Sequence, residues 1–251
     1  FVVFEGWSEE YTAGAKPVQF YRGLDADLLD DYAGVFGIAH NSGDSLRATR
    51  QALAHGADII EIDVVSLGGE LYAGHASPLP LVGSRVFRGP RLAEVWKAAG
   101  EADAIKLDLK ESSARFLDLL FDFVNQRQGQ PVMVVSRNAE ALRVAHDKAP
   151  QVLRSLSVPS KARLNSLKQD EALLAILDGV TIQQKLLDED TTAWLKERNL
   201  IVFTWTVNDL ARVNELVRYG IDGIITDNLA IMELLGGQER GEATLERRAM
   251  R

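Results

Sequence analysis

The stretch IVFTWTVNDLARVNELVRYGIDGIITDNLAIMELLG, residues 201–236, sets the rhythm of the whole chain. IVFTWTV and DGIITD are short, β-branched and almost wholly apolar, the pattern of strands buried on both faces. Between them, DLARVNELVRYG spaces its apolar residues as a helix does and stops at Gly220. NLAIMELLG follows as a second helix.

The same alternation recurs toward the N-terminus. Strands are expected at VFGIAH (35–40), DIIEIDVV (58–65), AIKLDLK (104–110), PVMVVS (131–136), VLRSLSV (152–158) and DGVTIQ (178–183). Amphipathic segments separate them. One is DSLRATRQALAHGA (44–57), with Asp44 or Ser45 as N-cap and Gly56 as stop. Another is a single helix near 161–176. ELYAGH (70–75) reads as a hairpin partner of DIIEIDVV across the turn SLGG. About eight strand–helix repeats at intervals of roughly 25–30 residues predict a parallel (β/α)8 TIM barrel, an α/β fold in one domain. The competing fold is an open doubly wound sheet. The barrel is preferred because polar residues fall at the C-terminal ends of several strands, whereas an open sheet gathers its site at one switch point. Residues 35–235 are assigned to the barrel and 1–34 to an N-terminal extension packed on it, with a short helix near 25–33. Residues 236–251 form a highly charged tail.

The 251 residues carry a formal charge of -8 and no basic cluster, which argues against a nucleic-acid partner. With 0 cysteines, disulfide and thiolate chemistry are excluded. The opening FVVFEGW is too short to span a bilayer. Because residue 1 is Phe, an upstream signal or anchor remains open, and so do a cytoplasmic and an envelope-associated location.

The chemistry-bearing residues sit on this scaffold. His40 ends the first strand. Glu61 and Asp63 lie two apart in the second, and Asp108 and Lys110 two apart in the next parallel strand, so each pair shares a face. Ionised acids packed under helices without partners are costly, so both pairs are expected to point inward near the mouth. Three converging carboxylates repel one another unless a cation sits among them, and oxygen-only ligation suits Mg2+ or Ca2+. His40 and His75 then flank whatever the cation holds. This set suits an anionic phosphoryl substrate, with one histidine taking a proton and the other giving one.

The order His40, GADIIEID, GH at His75, KLDLK, TWTVND and GIDGIITDN resembles the glycerophosphodiester phosphodiesterase family over about residues 35–228. The resemblance implies a metal-dependent TIM barrel that hydrolyses glycerophosphodiesters to glycerol 3-phosphate and an alcohol through a cyclic intermediate. It implies His40 and His75 as acid/base residues, Glu61, Asp63 and Asp108 as ligands of one divalent cation, Lys110 as a phosphate contact, and Trp205 as a pocket wall. The sequence departs from the family where Asn41 follows His40 in place of arginine. Ser42–Ser45 replaces the usual helix start, Ala76 follows His75 in place of aspartate, and Asp108 stands for glutamate. Asn41 is expected to touch phosphate or to cap the next helix. The DLK segment also resembles sphingomyelinase D-type phospholipases, so a lysophospholipase D-like activity is an alternative; a catalytically weak barrel binding a phosphorylated ligand is another. The expected partner is a small or lipid-derived phosphodiester. Arg85, Arg88 and Arg91 are read as a solvated loop, His55 and His146 as surface or packing residues, and Asp227 or Asn228 as the cap of the last helix.

Overall fold

β-branched and aromatic runs bounded by glycine, proline or aspartate become strands, and amphipathic runs opened by a polar cap become helices. The computed structural model describes residues 32, 34–75, 89–127 and 129–236. The helix expected near 25–33, the packing of the extension, Ala76, Arg85, Arg88 and the charged tail lie outside these residues.

The barrel strands are β1 (Phe36–Ala39), β2 (Ile59–Leu67), β4 (Ala104–Leu109), β5 (Val132–Ser136), β6 (Leu153–Val158), β7 (Gly179–Gln183), β8 (Ile201–Trp205) and β9 (Gly223–Thr226). They follow the order β1-β9-β8-β7-β6-β5-β4-β2, and β1 also pairs with β2, so the parallel sheet closes on itself. The expected hairpin strand β3 (Glu70–Ala73) runs antiparallel to the upper half of β2, with Val64 opposite Ala73. Outside the barrel lie α1 (Leu46–Ala54), α2 (Leu92–Ala98), α3 (Ala114–Asn125), α4 (Ala139–Lys148), α5 (Lys161–Leu167), α6 (Glu171–Leu174), α7 (Glu189–Lys196), α8 (Leu210–Arg218) and α9 (Leu229–Gly236). Among the described residues, no helix is long and apolar enough to cross a membrane.

One detail differs from expectation. The single helix near 161–176 is two, because the Asp170 carboxylate accepts Leu173 N–H and starts a new helix rather than continuing the old one. Of the two caps expected for α1, Asp44 or Ser45, the structure has Ser45, whose hydroxyl accepts Ala48 N–H. Side-chain caps of this kind stabilise a helix by about 1 kcal/mol each.

The interior divides by strand alternation. One apolar cluster, built from Phe36, Ile38, Ile59, Met133, Phe203 and their neighbours, fills the lower barrel. A larger one lies between strands and helices. At the N-terminal ends of the strands the polar residues serve the framework. Asp58, Asp178 and Asp222 each precede a strand, and each accepts a backbone N–H of the adjacent strand, at Gly37, Arg154 and Val202. Conserving that end for structure leaves the C-terminal end for chemistry, as barrels of this class do.

After β1 the chain turns sharply. Asn41 takes up a left-handed conformation, φ 50 and ψ 17, which asparagine tolerates better than most residues. A 3-10 turn, Ser42–Asp44, then lies flat on β2. Gly43 makes that approach possible, since a Cβ there would stand 2.3 Å from Ile62 Cγ1 and 2.8 Å from the Glu61 carbonyl oxygen. Gly43→Ala is therefore expected to destabilise the fold by about 1–3 kcal/mol through overpacking. Urea unfolding measures this; an unchanged midpoint would show that the turn does not dock tightly on β2.

Candidate active site at the C-terminal end of the barrel

The register of β2 and β4 brings the acids together. Glu61 stands opposite Lys106 and Asp63 opposite Asp108. Carboxylate oxygens of Glu61, Asp63 and Asp108 all lie within 4.8 Å of one another. Glu61 and Asp63 are buried, and Asp108 is partly exposed toward the mouth. The inward pointing expected from the sequence is what the structure has.

Protein cations already offset part of this charge. Lys106 Nζ lies 2.5 Å from Glu61 Oε1. Lys110 Nζ donates to Asp108 Oδ2 at 2.7 Å and stands 3.0 Å from Asp63 Oδ1. Two oxygens remain buried without a hydrogen bond, Glu61 Oε2 and Asp63 Oδ1. The second lies 3.0 Å from the Lys110 ammonium, which offsets part of its charge, whereas Glu61 Oε2 has no such neighbour. Buried carboxylate oxygens normally find a donor, so two orphans in one acidic cluster fit a hard divalent cation held by oxygen ligands. Glu61, Asp63 and Asp108 are the residues able to hold it.

Each histidine has its Nδ1 pinned by a carboxylate. His40 Nδ1 lies 2.6 Å from Asp227 Oδ1, and His75 Nδ1 lies 2.6 Å from Asp63 Oδ2. An ionised carboxylate only accepts, so Nδ1 carries the proton in both rings and Nε2 is left for chemistry. Their environments differ. Burial pushes the His40 pKa below the ordinary 6.5, against the opposing pull of Glu61 and Asp63. His75 has a side chain 66% exposed, and its hydrogen bond to Asp63 raises its pKa. Burial would raise Asp63, but His75 and Lys110 outweigh it and hold the carboxyl below its usual range. Lys110, although desolvated, is pushed up by Asp108 and Asp63 and stays charged.

Four residues of this network carry functions not assigned from the sequence. Of the two residues expected to cap α9, Asn228 does so by accepting Ala230 N–H, and Asp227 is the partner of His40. Burial raises Asp227 to about 6. Asn208 holds Asp227 in place: its Nδ2 donates to Asp227 Oδ2 at 3.0 Å, and its Oδ1 accepts Asp227 N–H at 2.9 Å. The signal was present in the paired motifs TWTVN and GIITD, whose polar ends meet here. Asp44 is buried, and its Oδ1 accepts Asp63 N–H at 3.1 Å, tying the turn to the ligand strand. Burial and the facing Asp63 charge push its pKa well above the ordinary value. Lys106 is the fourth.

The remaining expectations fall as follows. Asn41 is buried beside His40 and caps no helix through its side chain. Trp205 stands at the mouth end of β8, partly buried on the inner apolar cluster, with Nε1 donating to the Thr181 carbonyl. Lys110 is engaged with carboxylates. Arg91 pairs with exposed Glu70, away from the acids. His55 pairs with Glu233 near the surface, and His146 is exposed.

None of the curated proteins matches this sequence. Solved structures resemble its fold. A phosphodiesterase from Oleispira antarctica, in complex with the product sn-glycerol-3-phosphate, is 21% identical with a TM-score of 0.66, over 81% of this chain and 97% of that one. A glycerophosphodiester phosphodiesterase from Parabacteroides distasonis is 20% identical with a TM-score of 0.63, over 82% and 98%. The sequence profile of the glycerophosphoryl diester phosphodiesterase family matches residues 93–231, more than half of the chain. That segment contains Asp108, Lys110, Asn208 and Asp227, while His40, Glu61, Asp63 and His75 precede it and join the site through β1, β2 and the hairpin. The chain thus belongs to the glycerophosphoryl diester phosphodiesterase family and is a phosphoric diester hydrolase.

Proposed function

We propose that this protein hydrolyses glycerophosphodiesters to glycerol 3-phosphate and an alcohol, with His40 as general base and His75 as general acid. The observation that carries this reading is the pair of buried oxygens without a hydrogen bond, Glu61 Oε2 and Asp63 Oδ1, together with two imidazoles whose Nδ1 atoms are both pinned by carboxylates. When bound by Glu61, Asp63 and Asp108, a divalent cation supplies charge stabilisation to the phosphate oxygens.

The environments divide the proton work. His40 is half-buried and favours its neutral form, so its Nε2 lone pair takes the proton of the free glycerol hydroxyl that attacks phosphorus. His75 faces solvent and favours its protonated form, so its Nε2–H gives a proton to the alcohol oxygen as the phosphorus–oxygen bond breaks. The product of this step is the alcohol and a five-membered cyclic phosphate of glycerol. In the second step the roles reverse. His75 takes a proton from water, and His40 returns one to the glycerol oxygen as the ring opens. Lys110, fixed between Asp108 and Asp63, adds positive charge beside the phosphate. Trp205, partly buried on the inner apolar cluster, would form an apolar wall, and the Asn41 amide next to His40 would donate to a phosphate oxygen. The glycerol 3-phosphate held by the Oleispira antarctica enzyme supports a small glycerophosphodiester as the substrate class.

A panel of glycerophosphocholine, glycerophosphoethanolamine and lysophosphatidylcholine, assayed with Mg2+, Ca2+ or Mn2+ and with chelator, tests the reading. Glycerol 3-phosphate release that depends on metal is expected, with His40→Ala lowering kcat by about 10²–10⁴-fold. Cyclic lysophosphatidate as the sole product would move the enzyme to the lysophospholipase D-like class. Inactivity toward every substrate, or a fully active His40→Ala variant, would reject the proposal.

The His40–Asp227 pair predicts the acid limb of the pH profile. The base must be neutral and its partner ionised, so kcat/KM is full above the Asp227 value of about 6 and is lost as pH falls through it. Asp227→Asn removes the charge that selects the His40 tautomer. A kcat loss of about 10²–10⁴-fold is expected, with divalent-ion affinity unchanged. Loss of metal binding in that variant, with kcat intact at saturating metal, would contradict the positioning role.

A further inference from the structure

The proton steps leave one buried charge unused. Lys106 is 1% exposed and sits inside the barrel on β4, directly opposite Glu61. Its neighbour across β5 is Met133, part of the apolar plug. A lysine in such surroundings is costly unless a carboxylate compensates it, and Glu61 Oε1 does so. The two oxygens of Glu61 therefore have separate fates: Oε1 lies on the ammonium, and Oε2 is buried without a hydrogen bond. Asp63 is divided in the same way, with Oδ2 on His75 and Oδ1 toward Asp108 and Lys110.

We propose that Lys106 is a built-in counter-ion that competes with the divalent cation for the charge of Glu61. It holds the carboxylates together when no metal is present, and it weakens metal binding enough to keep the ion exchangeable. The inference rests on the cation site described above and adds to it a residue that acts through Glu61, not on the substrate. A cation at Glu61 Oε2 has the Lys106 ammonium on the other oxygen of the same carboxylate. Like charges at that range, screened only by protein, repel by amounts that change affinity at least tenfold. Without Lys106, the metal-free form contains a buried carboxylate with no compensating charge, and the metal-bound form loses only a repulsion. Both changes move the equilibrium toward the bound state.

The test uses the full chain as wild type, Lys106→Met, Glu61→Gln and the double variant. Methionine preserves length and apolar packing while removing charge. Thermal unfolding is recorded in chelator, and Mn2+ and Ca2+ affinities are measured by isothermal titration calorimetry. Lys106→Met is expected to melt lower than wild type in chelator and to bind metal at least about tenfold more tightly. The double variant is expected to recover the metal-free melting temperature, because neither charge is then left alone. Metal affinity in Lys106→Met equal to or weaker than wild type overturns the competition. A double variant that fails to fold, or melts no higher than Lys106→Met in chelator, shows that Lys106 serves packing alone and overturns the counter-ion role. If wild type itself binds neither ion, the cation site is wrong and the competition falls with it; if wild type binds and Lys106→Met gains nothing, only the Lys106 proposal fails.

Discussion

Three carboxylates share one end of a barrel, and every other feature of the site answers to that crowding. The pairing of β2 with β4 sets Glu61 across from Lys106 and Asp63 across from Asp108, so acid and base are interleaved on one inner wall. Lys106 takes one oxygen of Glu61, and Lys110 spans Asp63 and Asp108. His75 takes the remaining oxygen of Asp63. The repulsion that would scatter the acids is thus reduced from several sides, yet Glu61 Oε2 and Asp63 Oδ1 stay buried without a hydrogen bond, the latter beside the Lys110 ammonium. A site half-satisfied by its own lysines and half-open to a cation differs from a structural ion pair, in which both oxygens would be bonded.

The framework holds that arrangement from below and from the side. Aspartates at the strand starts lock neighbouring strands in register, and register decides which side chains meet at the mouth. From the side, the Ser42–Asp44 turn presses on β2, with the Gly43 backbone against Glu61 and Ile62 and the Asp44 carboxylate on Asp63 N–H. Asn208 and Asp227 provide the equivalent support for His40 from the β9 side of β1. The two histidines thus hang from neighbouring strands, His40 after β1 and His75 after the β2–β3 hairpin, one half-buried and one open to solvent. That difference gives each a different preferred charge state.

Much of this was legible in the residues. Period-two spacing put Glu61 with Asp63 and Asp108 with Lys110 on common faces, and the cost of burying unpaired acids turned those faces inward. The barrel followed from the strand–helix rhythm, and the hairpin from SLGG between two apolar runs. What escaped depends on register between strands distant in sequence. Lys106 looks like an ordinary strand lysine until β2 and β4 are aligned and Glu61 appears opposite. Asp227 is 187 residues from His40, and in a TDN segment before a helix local chemistry offers Asp227 and Asn228 alike as caps, so the pairing with His40 was not visible. Asp44 and Ser45 are likewise equal candidates for the cap of α1, and Ser45 takes it. Splitting of the helix near 161–176 turned on one aspartate whose side chain competes with the backbone.

The central claim is a divalent ion seated on the two orphaned oxygens. Anomalous diffraction from crystals grown with Mn2+ tests it most directly. The predicted result is one strong peak about 2.0–2.6 Å from Glu61 Oε2, Asp63 Oδ1 and an oxygen of Asp108, with Lys106 still on Glu61 Oε1. Saturating Mn2+ with no peak at this cluster, the carboxylates remaining bridged by Lys106 and Lys110 alone, would contradict it.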